Sequence, residues 1–525
     1  FKKVFKIKKT NLNDKLILIF LCIYFIISLL PITDADSLNY HYGFASILLR
    51  YKNLDFLNDV EIIDFNFFFV GFGEIINFIG LVLCLDNFGS QINFTAIILI
   101  YYFILQYYKN KNNSYIFLSI IASPLLMSMI SSQKTYLLPV TLLSILFLKI
   151  YKRQVSKNEI FLLLIIIFFT VGSKINLIPF AFLCGLILMY FCHKKKYLNY
   201  FFKYLLISFI IILSPYLYKN IFFHHDLLPP FLLEITNNNS IKTSEFLKWI
   251  RSYDVKLSLY NFVMLPLIMI IPHIVDNGRV MFSYTQISKI YGIQFYNFLF
   301  VKKLDKYYLL LIFSIFTIVL LTMNISTRWF LLLFLLIQFS SLEFEQTKNS
   351  FFSFMVFIQS IFVALILIFF ISFSFNNFAE GGKESFYSNL SFGYSFAQKI
   401  NKLRNKYGLK EKEYILHRHR SHFWTNNHDY IINYGNDYNQ LVDIKDNKII
   451  LNKMIKNKVK NKNIKIIVLG GRLENMINNF IKRECNIKIG QIFDNRPARN
   501  IFNLGKKEYT YIYFSKGDLI NCILE

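Results

Sequence analysis

The sequence predicts an all-α polytopic membrane bundle of about eleven transmembrane helices, followed by a small C-terminal extracytoplasmic α/β domain. Three observations predict it. Of 525 residues 55% are hydrophobic and only 17% charged, with a mean hydropathy of +0.41. Apolar runs of near-spanning length recur as far as residue 375, and beyond it the composition becomes mixed and turn-rich. A water-soluble fold has no interior large enough for 59 Phe residues and their Leu and Ile companions, so lipid must be the solvent for most of the chain. Disordered, collagen-like and disulfide-scaffold classes are excluded on the same composition.

The formal charge of +26 does not indicate a nucleic-acid partner. Much of it lies in short loops between apolar runs, where Lys and Arg set orientation. The abundance of Lys, Asn, Ile, Phe and Tyr also reads as a codon bias towards A and T.

The basic residues 1–9 lead into an apolar run at 15–31 with no small-residue cleavage site after it, which reads as an uncleaved first span. Further spans are read at 92–108, 114–131, 135–151, 159–173, 174–192, 201–218, 257–275, 306–323, 327–342 and 351–375. Segment 67–85 is apolar but carries Glu74 and Asn77 in its middle. If it does not cross, Lys109/Lys111, Lys152/Arg153/Lys157, Lys194/Lys195/Lys196 and Lys302/Lys303/Lys306 all share the side of the basic N-terminus. Segment 67–85 is therefore expected to be a juxtamembrane or re-entrant helix. The resulting domains are 1–376, a transmembrane domain with 32–91 as its long first outer loop, and 377–525, the extracytoplasmic domain. In the tail, 464–469 reads as a strand, Gly470-Gly471 as a turn, 473–481 as a helix and 509–514 as a strand. Cys485 and Cys522 are the cysteines placed to pair there, whereas Cys22, Cys84, Cys184 and Cys192 lie in apolar runs.

The first outer loop gathers Asp34, Asp36, Asp55, Asp59, Glu61, Asp64, Glu74 and Asp86 against only Arg50 and Lys52. A merely topological loop has no need of such a concentration. Directly after the first span stands Thr33-Asp34-Ala35-Asp36-Ser37-Leu38-Asn39-Tyr40-His41. On a helix, Asp34 shares a face with His41 and Asp36 with Tyr40. Leu38, Tyr42, Ala45 and Leu49 form an apolar stripe suited to a helix lying on the membrane surface. Two carboxylates at the lipid–water boundary stand where a lipid phosphate would meet a water-soluble acceptor. The plainer alternative is a helix N-cap at Asp34 or Asp36 with a polar rim.

A first span followed at once by an Asp-x-Asp pair and a Tyr-His step resembles the GT-C superfamily of integral membrane glycosyltransferases, in particular its protein-mannosyltransferase and lipid A aminoarabinose-transferase branch. The plan of a long first outer loop and an extracytoplasmic C-terminal domain is similar, so the expected bundle is GT-C-like. Gly172-Ser173-Lys174-Ile175-Asn176-Leu177-Ile178-Pro179 looks like the Lys-containing turn of that family, and Ser326-Thr327-Arg328-Trp329-Phe330 like its Arg-Tyr step. The resemblance covers roughly residues 1–376 and rests on short motifs. It implies transfer of a sugar from a polyprenyl-phosphate donor to a glycan, lipid or protein acceptor at the outer face of a bacterial inner membrane. Asp34 or Asp36 would serve as general base. The departing phosphate needs cations. Lys134, Lys174 and Arg328 at outer span ends are the candidates, with Tyr40 and His41 of the first-loop motif beside them. Some relatives use a second first-loop acid to bind a divalent metal or the donor, which makes Glu74 the candidate metal ligand; nothing in the spacing requires a metal. Apart from that role, an ionised Glu74 among apolar residues wants a partner.

Other signals are weaker. His417-Arg418-His419-Arg420-Ser421-His422 reads as a solvated strand, Gly470-Gly471 lacks a nucleotide-binding pattern, and His224-His225-Asp226 reads as an ordinary loop. Two other functions compete with the transferase. A transporter or flippase of lipid-linked glycans would place ionisable groups at the midplane. A glycan polymerase or ligase would carry its essential residues in a late outer loop.

Overall fold

The computed structural model describes residues 12–34, 37–54, 70–107, 113–224, 226–227, 331–343, 350–391, 393–409, 424, 463–470, 484–496 and 505–522, together with short strands between 255 and 451. Two compact units emerge, one from residues 1–31, 71–229 and 250–373 and the other from 32–70, 230–249 and 374–525. The first-loop residues 32–70 thus group with the tail, whereas the sequence reading attached them to the membrane helices.

The first unit is helical: α1 (Leu12–Leu29), α3 (Phe72–Val82), α4 (Phe88–Tyr107), α5 (Asn113–Ile121), α6 (Pro124–Ile130), α7 (Leu137–Tyr151), α8 (Ile160–Ser173), α9 (Ile178–Lys194), α10 (Leu198–Ser208), α11 (Ser214–His224), α12 (Leu331–Glu343) and the apolar part of α13 (Ser350–Leu390). Two short antiparallel pairs, β1 (Val255–Lys256) with β4 (Asn324–Ile325) and β2 (Ile274–Val275) with β3 (Arg279–Val280), also belong to it. Among the described residues, four helical stretches are long and apolar enough to cross a bilayer: Leu12–Leu29, Phe88–Tyr107, Leu198–Phe223 and Val356–Leu390. This fits an integral membrane protein. The spans read at 257–275 and 306–323 lie almost wholly outside the described residues.

The run read as one span at 114–131 is broken. Pro124 opens α6 and has no N–H to give, so the ladder from α5 is interrupted. The freed carbonyls find side chains: Tyr24 Oη donates to Ile121 O at 2.5 Å and Gln359 Nε2 to Ala122 O at 2.8 Å. In an apolar medium each unmet carbonyl would cost several kcal/mol, so α1 and α13 supply what the break removes. Within the segment read at 67–85, Phe72–Val82 forms α3, eleven residues long. At about 16 Å it falls well short of the hydrocarbon thickness.

The second unit contains a π-helical turn (Ser37–His41) running into α2 (Tyr42–Tyr51), the end of α13, helix α14 (Tyr394–Tyr407) and a mixed sheet. Its strands are β5 (Tyr414–His417), β6 (Ile431–Ile432), β9 (Ile466–Gly470), β10 (Ile487–Arg496) and β11 (Gly505–Phe514), in the order β10-β11-β9-β5-β6. β10, β11 and β9 run antiparallel, and β9, β5 and β6 parallel. A separate hairpin joins β7 (Val442–Lys445) and β8 (Lys448–Leu451). Phe396 and Ile400 of α14 pack on Ile466, Val468, Ile492 and Tyr509 of the sheet. The strands expected at 464–469 and 509–514 are present, while the helix expected at 473–481 lies outside the described residues. Cys485 and Cys522 form a disulfide that ties the short helix α15 (Leu519–Cys522) to the start of β10.

Gly382 takes φ +65° and, with Gly381, breaks α13. Beyond the break the chain turns back on itself, with Asn389 Nδ2 donating to Asn377 Oδ1 at 2.7 Å and Phe378 stacked on Phe386 at 4.8 Å.

Candidate functional site

In the helical unit the site starts from three short helices. α7, α8 and α9 have 15, 14 and 17 residues, or about 22, 21 and 25 Å of helix. Each has one end at a basic rim: Lys152, Arg153 and Lys157 for α7 and α8, and Lys194, Lys195 and Lys196 for α9. Each is shorter than a hydrocarbon core about 30 Å thick. The ends opposite the basic residues carry the polar turns 131–136 and 173–176.

Helix α3 packs at this level. The Cβ of any residue replacing Gly71 would stand 2.1 Å from Gly172 O, and one at Gly172 would stand 2.2 Å from the Phe72 ring. The start of α3 therefore crosses the end of α8 at the closest approach a backbone allows, and only glycines permit it. Phe72 stacks on Phe169 at 5.7 Å. This crossing delivers Glu74 to Lys174. Glu74 Oε2 accepts the Gly71 N–H at 2.7 Å, closing the first turn of its own helix. Glu74 Oε1 accepts from Lys174 Nζ at 3.3 Å. The Glu74 side chain is 1% exposed and that of Lys174 16%.

Helix α11 adds the next wall. A π-turn at Phe209–Leu213 inserts one residue between α10 and α11, rotating the faces of α11 by about 100°. Tyr216 and Asn220 are then buried while Tyr218, Ile221 and Phe222 are exposed. Tyr216 lies 6.2 Å from the Phe72 ring, with Lys219 Nζ 5.2 Å from the Tyr216 ring centre. The half-buried Lys219 lies within electrostatic range of Glu74, and buried Asp226 within that of Tyr216.

Amides fix the polar turn. Asn77 Nδ2 donates to Gln133 O at 3.0 Å, and Gln133 Nε2 donates to Ser90 Oγ at 2.8 Å. Asn93 Nδ2 meets the carbonyls of Met129, Ser132 and Lys134 at 2.9, 3.1 and 3.0 Å. Asn176 Nδ2 donates to Tyr136 Oη at 2.9 Å. Lys134 is thereby placed on the same turn, half-buried.

The structure thus brings together Glu74 and Lys174, which the sequence reading assigned to separate roles. Both Glu74 carboxylate oxygens already have partners, a backbone N–H and an ammonium. Among the described residues no group of three or more His, Cys, Asp and Glu side chains could hold a metal. Sequence reasoning missed Lys219 and Tyr216. Their signal was present, since Lys219-Asn220 follows directly on an apolar run, where a lysine passes for an ordinary span end.

The first-loop motif lies in the other unit. Asp34 Oδ2 accepts Ser37 N at 2.9 Å and Ser37 Oγ at 2.8 Å, which is the N-cap geometry of the plainer alternative. The expected surface helix is corrected in two ways. Residues 37–41 form a π-turn, so the α-helical phasing that put Asp34 beside His41 does not apply. Leu38, His41, Tyr42, Ala45 and Ser46 are buried, so the segment is packed on more than one stripe; Leu49 is exposed. Asp36, the Tyr40 side chain, Arg328, His225 and the histidines after His417 lie outside the described residues.

The family model for the DUF1420 N-terminal domain matches residues 1–379. No curated protein and no solved structure matches the chain.

Proposed function

The chain belongs to the DUF1420 family, and we propose that it is a multi-pass inner-membrane glycosyltransferase of the GT-C type, with about eleven spans and its tail outside the cytoplasm. It moves a sugar from a polyprenyl-phosphate donor to a glycan, lipid or protein acceptor at the outer face. The observation that carries this reading is the Glu74–Lys174 pair, with a Glu74 side chain only 1% exposed, near Lys219 and Tyr216 and where α8 ends. Buried ionisable groups among apolar helices are expensive and call for a functional partner. An ammonium held by one carboxylate oxygen keeps further N–H donors for a phosphate, and a site that excludes water makes each more effective on the departing lipid phosphate. Asp34 or Asp36 takes the acceptor proton as the new glycosidic bond forms and the sugar–phosphate bond breaks.

The test uses purified full-length protein and polyprenyl-phosphate sugars, reading released polyprenyl phosphate. Asn caps a helix as well as Asp does but accepts no proton at neutral pH. Asp34→Asn or Asp36→Asn should therefore lose about 100-fold or more in rate with the fold intact. Wild-type rates in both single variants and in the double variant overturn the reading. Flipping of lipid-linked glycans is the second reading, favoured by an ion pair buried within a helical unit that is largely apolar. A flippase needs a sealed bilayer to show its activity, whereas the transferase turns over in detergent.

A further inference from the structure

Within the tail-containing unit, two side chains hold the start of the first-loop motif from about 360 residues away. Ser391 is buried at the end of α13; its Oγ donates to Ile32 O at 2.9 Å and accepts the Trp424 indole N–H at 3.0 Å. The indole cannot swing freely. Its ring stands edge-on to Tyr387 at 4.6 Å and to Tyr394 at 4.8 Å, and those two rings lie 5.3 Å apart, closing a triangle. Ser391 is itself fixed by its N–H to Tyr387 O at 3.0 Å. Ile32 is buried and stands two residues before Asp34. Asp34 in turn receives the amides of Ser37 (side-chain oxygen, 2.9 Å) and Leu38 (main-chain oxygen, 3.1 Å).

We propose that Ser391 and Trp424 are positioning residues: the tail clasps Ile32 and so sets the pose of Asp34 at the mouth of the first-loop helix. The segment beyond the last long apolar helix, including Ser391 and Trp424 outside the matched N-terminal domain, is then part of the machinery that orients the candidate base. The catalytic meaning of the clasp rests on the transferase reading; the clasp itself does not. Two consecutive hydrogen bonds carry it, from indole to hydroxyl to main-chain carbonyl. Each is buried or half-buried, where an unmet polar group is penalised more than a met one is rewarded.

Hydrogen exchange on the full-length protein tests this, because the Ser37 and Leu38 amides report on Asp34 directly. Ser391→Ala, and Trp424→Phe, which keeps a ring but loses the donor, should each speed exchange over residues 32–42 about fivefold or more. Exchange in α8 should stay unchanged. Ser391→Thr, which keeps the hydroxyl, should restore slow exchange. Unchanged exchange over 32–42 in both variants overturns the proposal, as does faster exchange spread evenly over the chain. Where sugar transfer is measurable, the same variants should lower kcat and leave the donor KM unchanged. If transfer fails altogether, the exchange result still decides the clasp.

Discussion

Two Lys–Glu pairs in this molecule share one local design and differ in surroundings. Glu159 reaches back to the Ser156 N–H at 2.9 Å at the start of α8 and pairs with Lys149. Glu74 reaches back to the Gly71 N–H at 2.7 Å at the start of α3 and pairs with Lys174. In both, a glutamate closes its own helix and a lysine from another part of the chain meets it. The Glu159 side chain is 34% exposed, that of Glu74 only 1%. At the rim water screens the charges and replaces either partner when it leaves. The Glu74 carboxylate, cut off from water, has no such substitute and depends on Lys174. The same sequence device is incidental in one place and obligatory in the other.

The largest effect should come from halving the buried pair. Glu74→Ala or Lys174→Ala leaves a charge without its partner and should cost about 3–5 kcal/mol, read as thermal or denaturant stability in detergent. The double variant Glu74→Gln with Lys174→Met should lose less than either single change. If losses simply add, the two side chains do not depend on each other and the contrast between the pairs fails.

The next effect is steric. Gly71→Ala places a methyl against the Gly172 carbonyl at 2.1 Å, a main-chain atom with no rotamer to yield. It should destabilise by about 1–3 kcal/mol. Gly185→Ala meets nothing closer than Ile167 Cδ1 at 4.0 Å and should be neutral or stabilising by up to about 1 kcal/mol. Equal behaviour of the two would mean that the close crossing is not what brings Glu74 to Lys174.

Physical distance along the chain decided what could be read beforehand. The apolar runs, the tail strands at 464–469 and 509–514, and the tail cysteine pair each leave a local or compositional mark. A buried Glu74 announces that it needs a partner, because burial of a lone carboxylate is so unfavourable. It does not announce which partner, since Lys174 is 100 residues away. The N-cap at Asp34 was legible as one of two readings. The π-turns at Ser37–His41 and Phe209–Leu213 were not, because they depend on packing rather than on any residue preference, and they alter which side chains share a face. The grouping of residues 32–70 with the tail depends on contacts such as Ser391 with Ile32, which no periodicity encodes.

The smallest expected effect is the one that tests the comparison most directly. Lys149→Ala and Glu159→Gln remove halves of the more accessible, half-buried pair and should each change stability by less than about 1 kcal/mol. Raising salt should erase most of that difference, because charges with water between them are screened over about 8 Å at physiological ionic strength. Salt should leave the loss in Lys174→Ala nearly untouched, since the Glu74 carboxylate is buried away from solvent ions. Glu159→Ala should cost slightly more than Glu159→Gln, because glutamine can still accept the Ser156 N–H and alanine cannot. Should Lys149→Ala prove as damaging as Lys174→Ala at high salt, burial would not be what separates the two pairs, and the special standing of Glu74 and Lys174 would lose its physical basis.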